Sequence, residues 1–381
     1  MNYRQQTNAD RHKCLSDDHG LQAPPKGPLV RNVEDLRRFL QEAIELEHFT
    51  IPPYLCALYS IEAGANYQAA NIIHSVVMEE MLHMVMAANI LNAIGGKPKI
   101  GAQKLLLNPE RRKSSNRKDL PHYPSRMPHS SIGFEVHLLK FSKAAISTFL
   151  AIERPAETDL PPPPKGEFRS IGEFYAAVRE AMNRLDTEAK ASGKKFGIFT
   201  GSQPQVQAKQ YYGSGGKLLA VHSIDDANLA LDEIVGQGEG IHGTLLDGDK
   251  QPFGEGIEYA HYYRFNEIFN ERRYEPTDQA SDAPSGPSLP VDWDAVYNMV
   301  PDPHMAAFKH NPGVLGQMKK FNKVYMELLD KIDQACNQDP EVMWKEAVPL
   351  MYALKYQAIE LMKTPCGQGD YTAGPSFEYV P

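Results

Sequence analysis

Glu80-Met-Leu-His83 and Glu258-Tyr-Ala-His261 each set a carboxylate and an imidazole three residues apart. Residues so spaced share one face of a helix, so each pair offers an acidic oxygen and a ring nitrogen to a common point. The spacing also occurs at Glu45–His48 and Glu239–His242, whereas a shuffled chain of this composition would show about one such pair. Two pairs, each joined by an inward glutamate from a neighbouring helix, give four carboxylates and two imidazoles around one point. That is a ligand set for two metal ions inside a helical bundle. Carboxylate-rich coordination suits iron, with manganese as the alternative, at a spacing of roughly 3.5–4 Å. Zinc favours fewer ligands, with sulfur or several histidines. The chemistry expected is redox chemistry with dioxygen or peroxide.

Helical periodicity decides which acids face inward. One helix runs from about Val33, capped by Asn32 with Asp35 reaching back. Its apolar face carries Leu36, Leu40, Ala43, Ile44, Glu47 and Ile51. Glu45 sits among Arg38, Gln41 and Glu42, so Glu47 is the expected ligand. Pro52-Pro53 interrupts the helix, and the pattern resumes at Tyr54 and continues to about Ala63. A second helix, about Tyr67 to Ile94, carries Glu80 and His83 in its apolar stripe and ends at Gly95-Gly96. A third, from Ser223 to about Glu239, brings Glu239 on the face of Leu231 and Val235, with Glu233 on a more polar side. A fourth, about Ile257 to Asn270, carries Glu258 and His261 beside Phe265 and Ile268. The first two helices are expected to form one hairpin and the last two another. The metal ligands expected are Glu47, Glu80, His83, Glu239, Glu258 and His261.

A buried carboxylate costs several kcal/mol unless it is paired or bound to metal. The competing reading of these acids is therefore core ion pairs. Glu153, on a helix of about Ser142 to Glu153, is either paired with an arginine or serves as proton carrier or extra ligand. Tyr54 and Tyr262 are candidates for shaping proton and electron delivery, against plain aromatic packing. His48 and His242 stay open between ligand, support and structure.

The remaining chain is organised around these helices. Residues 1–29 read as an extended arm, 30–274 as the metal-binding bundle with insertions, 275–290 as a linker, and 291–381 as C-terminal helices packed on the same domain. A helix opens at Ser170 with Glu173, and a short strand is expected at Lys217 to His222. The long helices near the end run from about Gly313 to Cys336 and from Asp339-Pro340 onward. The 381 residues carry a formal net charge of -8, which gives no electrostatic reason to expect nucleic acid or an anionic membrane. No apolar run reaches membrane-spanning length, and no leader is visible. The four cysteines are scattered without CxxC spacing, so a cytoplasmic protein without a disulfide framework is expected.

Leu46-Glu47-His48-Phe49-Thr50-Ile51-Pro52-Pro53-Tyr54-Leu55 and Glu79-Glu80-Met81-Leu82-His83-Met84 resemble the ferritin-like domain of the iminophenyl-pyruvate dimer synthase family. Ala151-Ile152-Glu153-Arg154-Pro155, Gln237-Gly238-Glu239-Gly240 and Ala260-His261-Tyr262-Tyr263-Arg264-Phe265 do the same, as does the ending Ala373-Gly374-Pro375-Ser376-Phe377-Glu378-Tyr379. The similarity spans about Val33 to Tyr379. That family includes enzymes of bisindole pigment assembly in secondary metabolism, which couple two imine forms of an aromatic 2-oxo acid. The resemblance implies an all-α, ferritin-like four-helix bundle with additional C-terminal helices and long loop insertions, holding two metal ions with the six ligands above.

The function expected is a metal-dependent, di-iron oxidase or oxygenase on a small organic substrate, with an amino-acid-derived aromatic compound as one class. The partners expected are that substrate and dioxygen or peroxide, with homodimerisation open. Rival readings are an iron-handling or storage protein without an organic substrate, and an oxidative dimer synthase. Loops as long as those here commonly shape a functional site, and this favours the enzyme.

Overall fold

The computed structural model describes residues 29–101, 120–128, 134–155, 168–211, 216–240, 244–247 and 259–380. Among them stand eight α-helices: α1 (Val33–Ser60), α2 (Tyr67–Ala93), α3 (Lys143–Ile152), α4 (Ile171–Ala191), α5 (Ile224–Glu239), α6 (His261–Asn270), α7 (Pro312–Asn337) and α8 (Val348–Lys363). Two-residue strands β1 (Ser125–Arg126) and β2 (Glu135–Val136) pair antiparallel. The all-α expectation holds among the described residues, and none of their helices is long and apolar enough to cross a membrane.

Local chemistry explains the helix ends. Asn32 accepts a hydrogen bond from the Asp35 amide, and Asp35 reaches back to the Arg31 amide. Ser142, Ser170 and Ser223 cap α3, α4 and α5 in the same manner. After α2, Gly95 takes φ +75°, and Arg37 donates to the Ile94 carbonyl.

Pro52-Pro53 does not interrupt α1, which runs through both. Pro53 has no amide proton for the Phe49 carbonyl one turn earlier. The Tyr123 hydroxyl donates to that carbonyl at 2.6 Å, so the group is satisfied and the helix continues.

α1 and α2 form a close antiparallel pair, with Arg37 level with Ile94 and Thr50 level with Glu80. The other pairing differs from the expected hairpin of α5 with α6. α5 packs mainly on α4, and α6 mainly on α3. α6 begins only at His261 and has ten residues, too short to run along the whole of α5. Its Phe265 packs instead against Phe149 of α3 and Tyr54 of α1, at ring separations of 5.2 and 5.3 Å. Lys217 to His222 forms no strand. Side-chain amides take the place of a partner strand there: Asn89 donates to the Leu219 carbonyl, and Gln205 bonds both the amide and the carbonyl of Val221.

α7 and α8 lie against the α1–α2 pair, and one hydrophobic core runs from Val30 to Phe377. Asn92 of α2 donates to the Cys336 carbonyl of α7 at 2.7 Å. Residues 275–290 fold back on the end of α6, with Arg273 and Gly286 exchanging backbone hydrogen bonds with Pro287 and Arg273.

Candidate metal centre

Six helices converge on a buried polar centre. α1 contributes Glu47, Thr50 and Tyr54, and α2 contributes Glu79, Glu80 and His83. Glu153 is the C-terminal cap of α3. Tyr175 comes from α4, Gln237 from α5, and His261 with Arg264 from α6. All of the carboxylates and both imidazoles are 2% exposed or less.

Among the described residues, two groups of three have the geometry to hold an ion. One is Glu47, Glu80 and His83; the other is Glu80, Glu153 and His261, and in each the ligand atoms lie within 4.8 Å of one another. Glu80 belongs to both. The two histidine rings lie 5.6 Å apart and nearly parallel.

Each imidazole turns the same nitrogen inward. His83 Nδ1 lies 3.7 Å from Glu47 and 3.8 Å from Glu80, while its Nε2 meets Gln237 Oε1 at 2.8 Å. His261 Nδ1 lies 2.9 Å from Glu80 and 3.4 Å from Glu153, while its Nε2 meets Glu79 at 2.7 Å. A hydrogen bond on the outer nitrogen fixes the tautomer and leaves the inner one free for a metal. His261 Nδ1 is buried and, though 2.9 Å from Glu80, is not aligned for a hydrogen bond with it. An orphaned nitrogen aimed between carboxylates fits a metal ion, so the Glu and His groups present could hold one.

The surrounding hydrogen bonds orient the carboxylates. The Thr50 hydroxyl contacts Glu80 Oε2 at 2.5 Å, and the Tyr175 hydroxyl donates to Glu47 Oε1 at 2.5 Å. Tyr54 donates to Glu153 Oε1. Arg264 bonds both oxygens of Glu79 and also reaches Ser75.

Electrostatics reflect an excess of buried acid. Burial pushes the Glu47 carboxyl up to about 7, with the Glu153 charge adding to the rise and the Tyr175 hydrogen bond opposing it. Burial, then the Glu80 charge, raises Glu153 as well. Burial also works against Glu79, yet Arg264 and His261 outweigh it and hold that carboxyl down at about 2. His83 is lowered by burial, against the pull of Glu80. Burial disfavours a charge on His261 too, but Glu153, Glu79 and Glu80 overcome it and raise its affinity for a proton. A cation at the same place would satisfy the same carboxylates.

Of the sequence-predicted ligands, Glu47, Glu80, His83 and His261 come together here. Glu239 lies in the last turn of α5, with its side chain outside the described residues, as are Glu258 and His242. Glu153 joins the second group and meets Tyr54 and His261. Tyr262 instead packs edge-on against Tyr263, at 5.2 Å, in a separate aromatic group with Tyr259 and Tyr274. Glu233 bonds Gln237 and the Lys217 amide, and Glu45 accepts from Gln41. His48 turns away toward Tyr325. Sequence reasoning passed over Glu79, Tyr175, Gln237 and Arg264. Glu79 carried a usable signal, since two adjacent acids inside Val76-Val77-Met78-Glu79-Glu80-Met81-Leu82 must both be buried.

A recess of about 10 Å³ opens beside the ligands, between Ile171 and Gly172 of α4 and Ile234, Val235 and Gly238 of α5. That volume matches one water-sized molecule.

A ferritin-like family model matches residues 40–270. Over 340 residues the chain is 22% identical to dichlorochromopyrrolate synthase of Lentzea aerocolonigenes; the match takes in 80% of this chain and 29% of that protein's length. The crystal structure of a ferritin-like protein from Caulobacter vibrioides superposes with a TM-score of 0.60 at 22% identity, over 92% of this chain and 100% of that one. That likeness is one of fold. The chain belongs to the ferritin-like family.

Proposed function

We propose that this chain is a metal-dependent oxidase or oxygenase that acts on a small organic substrate with two iron ions. Glu47, Glu80 and His83 would hold one ion and Glu80, Glu153 and His261 the other, with Glu239 and Glu258 as further ligands. The observation that carries this reading is Glu80 shared between two carboxylate–imidazole groups, one of which ends in the orphaned His261 Nδ1. Such ions supply the electrons for dioxygen chemistry when bound. The chain's own side chains fix the geometry and the protons. Thr50 steadies Glu80, and Gln237 and Glu79 hold the rings of His83 and His261 in one tautomer. Burial keeps the Tyr54 and Tyr175 hydroxyls protonated, well above the ordinary tyrosine range. Each therefore stays a proton donor to Glu153 or Glu47 at neutral pH. The apolar walls of Ile171, Ile234 and Val235 exclude bulk water from the ligands.

The similarity to a protein named as a synthase supports an organic substrate, with an aromatic, amino-acid-derived compound as the class to test first and coupling of two such molecules as a narrower form. The small recess favours a second reading, oxidation of Fe(II) without an organic substrate. Oxygen uptake separates them. Protein loaded anaerobically with Fe(II) should consume dioxygen faster when an aromatic 2-oxo acid and ammonia are present, and Glu80→Ala should abolish the stimulation. Uptake indifferent to every organic compound, with iron accumulating beyond two per chain, would establish the second reading and reject the first.

A further inference from the structure

A second cavity, of about 120 Å³, lies on a different face of α1 and α2, walled on its other side by α7 and α8. Its lining interleaves with the metal-centre residues along the same helices: His48 follows Glu47, Met81 follows Glu80, and Met84 follows His83. The inner end is polar but already satisfied. His48 Nε2 and the Tyr325 hydroxyl lie 2.5 Å apart, both buried, so that end asks nothing of a ligand. The walls between are apolar, with Met78, Met81, Met84, Leu55, Leu328 and Leu329. Methionine side chains adapt to occupants of varied shape. The mouth is where charge appears. His74, Tyr352 and Lys355 line the cavity and are exposed, and no aspartate or glutamate is among the described residues that line it. Burial, then the nearby Lys355 charge, lowers the His74 imidazole. The charge at the mouth is thus that of the lysine.

We propose that this cavity is a binding site for a small amphiphilic carboxylate, its apolar body among the methionines and leucines and its head at Lys355. An apolar slot closed by a self-paired floor and opened by a positive rim complements a molecule with one anionic end. The site stands apart from the proposed metal chemistry and does not rest on it.

Calorimetric titration of the full chain with octanoate, 3-phenylpropanoate and octan-1-ol, metal-loaded and metal-depleted, tests this. At least one carboxylate should bind at one equivalent and more tightly than the alcohol, the two acids deciding between an aliphatic and an aromatic body. Lys355→Gln should weaken the carboxylate roughly three- to tenfold and leave the alcohol unchanged. Met81→Trp, which fills the cavity, should abolish binding of both. The proposal is overturned if neither acid binds, if the alcohol matches the acids, if Lys355→Gln changes nothing, or if folded Met81→Trp binds as before. Lys355 is exposed, so its variant decides the matter even where Met81→Trp does not fold. Failure here leaves metal content untouched, and is thus distinguishable from failure of the oxidase reading.

Discussion

Glu79 Oε2 and His261 Nε2 lie 2.7 Å apart, both buried, and this contact turns the other ring nitrogen of His261 toward Glu80 and Glu153. The partner of His83 in the same position is the neutral amide of Gln237. The two halves of the centre thus differ, one imidazole backed by a carboxylate and the other by an amide. An anionic partner raises the basicity of the ring it holds.

Glu79→Gln should therefore weaken metal binding about 10–100-fold, read by competition with a chromophoric chelator. Glu79→Ala should do more damage, because it removes the buried carboxylate that Arg264 bonds through both oxygens. A loss of about 3–5 kcal/mol is expected in urea unfolding. Unchanged affinity in Glu79→Gln would mean that the carboxylate does not tune His261.

Protons compete with metal at this centre, and the sign follows from the shifts. Below pH 7 the metal-free chain keeps a proton on Glu47, which an incoming cation must displace. The raised proton affinity of His261 adds a second competing proton. Apparent metal affinity should fall as pH falls, more steeply below pH 7 than above it. Tyr175 holds the Glu47 carboxyl lower than burial alone would set it, so Tyr175→Phe should move the steep region to higher pH. Metal titrations at half-unit steps from pH 6 to 8, with proton release measured, would show this; an affinity independent of pH would contradict it.

His48 gives a stability prediction of its own. Burial lowers its folded pKa from 6.5 to about 4. Between those values the unfolded chain takes up a proton that the folded chain refuses. Stability from this group is thus complete above pH 6.5 and lost as pH falls toward 4, by about 3 kcal/mol. His48→Gln keeps a partner for Tyr325 but cannot titrate. In metal-depleted protein its urea midpoint should depend less on pH across that window than the parent's, and parallel curves would refute the assignment.

The fold was legible where periodicity and caps are local. Asn32, Ser170 and Ser223 open α1, α4 and α5 as their sequences imply. Glu47, Glu80, His83 and His261 were readable because each interrupts an apolar stripe. What could not be read depends on contacts distant in the chain. Tyr123 rescues the carbonyl that Pro53 leaves bare, 74 residues from Phe49. Tyr175 reaches Glu47 across 128 residues and Gln237 reaches His83 across 154; no spacing rule connects such residues. Glu153 was ambiguous because Arg154 follows it. As the cap of α3 it turns toward Tyr54 and His261.

The most direct test is anomalous scattering from a crystal of the chain loaded with Fe(II) or Mn(II), recorded at the metal's absorption edge. Two peaks roughly 3.5–4 Å apart are predicted, one bounded by Glu47, Glu80 and His83 and the other by Glu80, Glu153 and His261. A map without a peak at that place, or with those five side chains facing apart, would contradict the account.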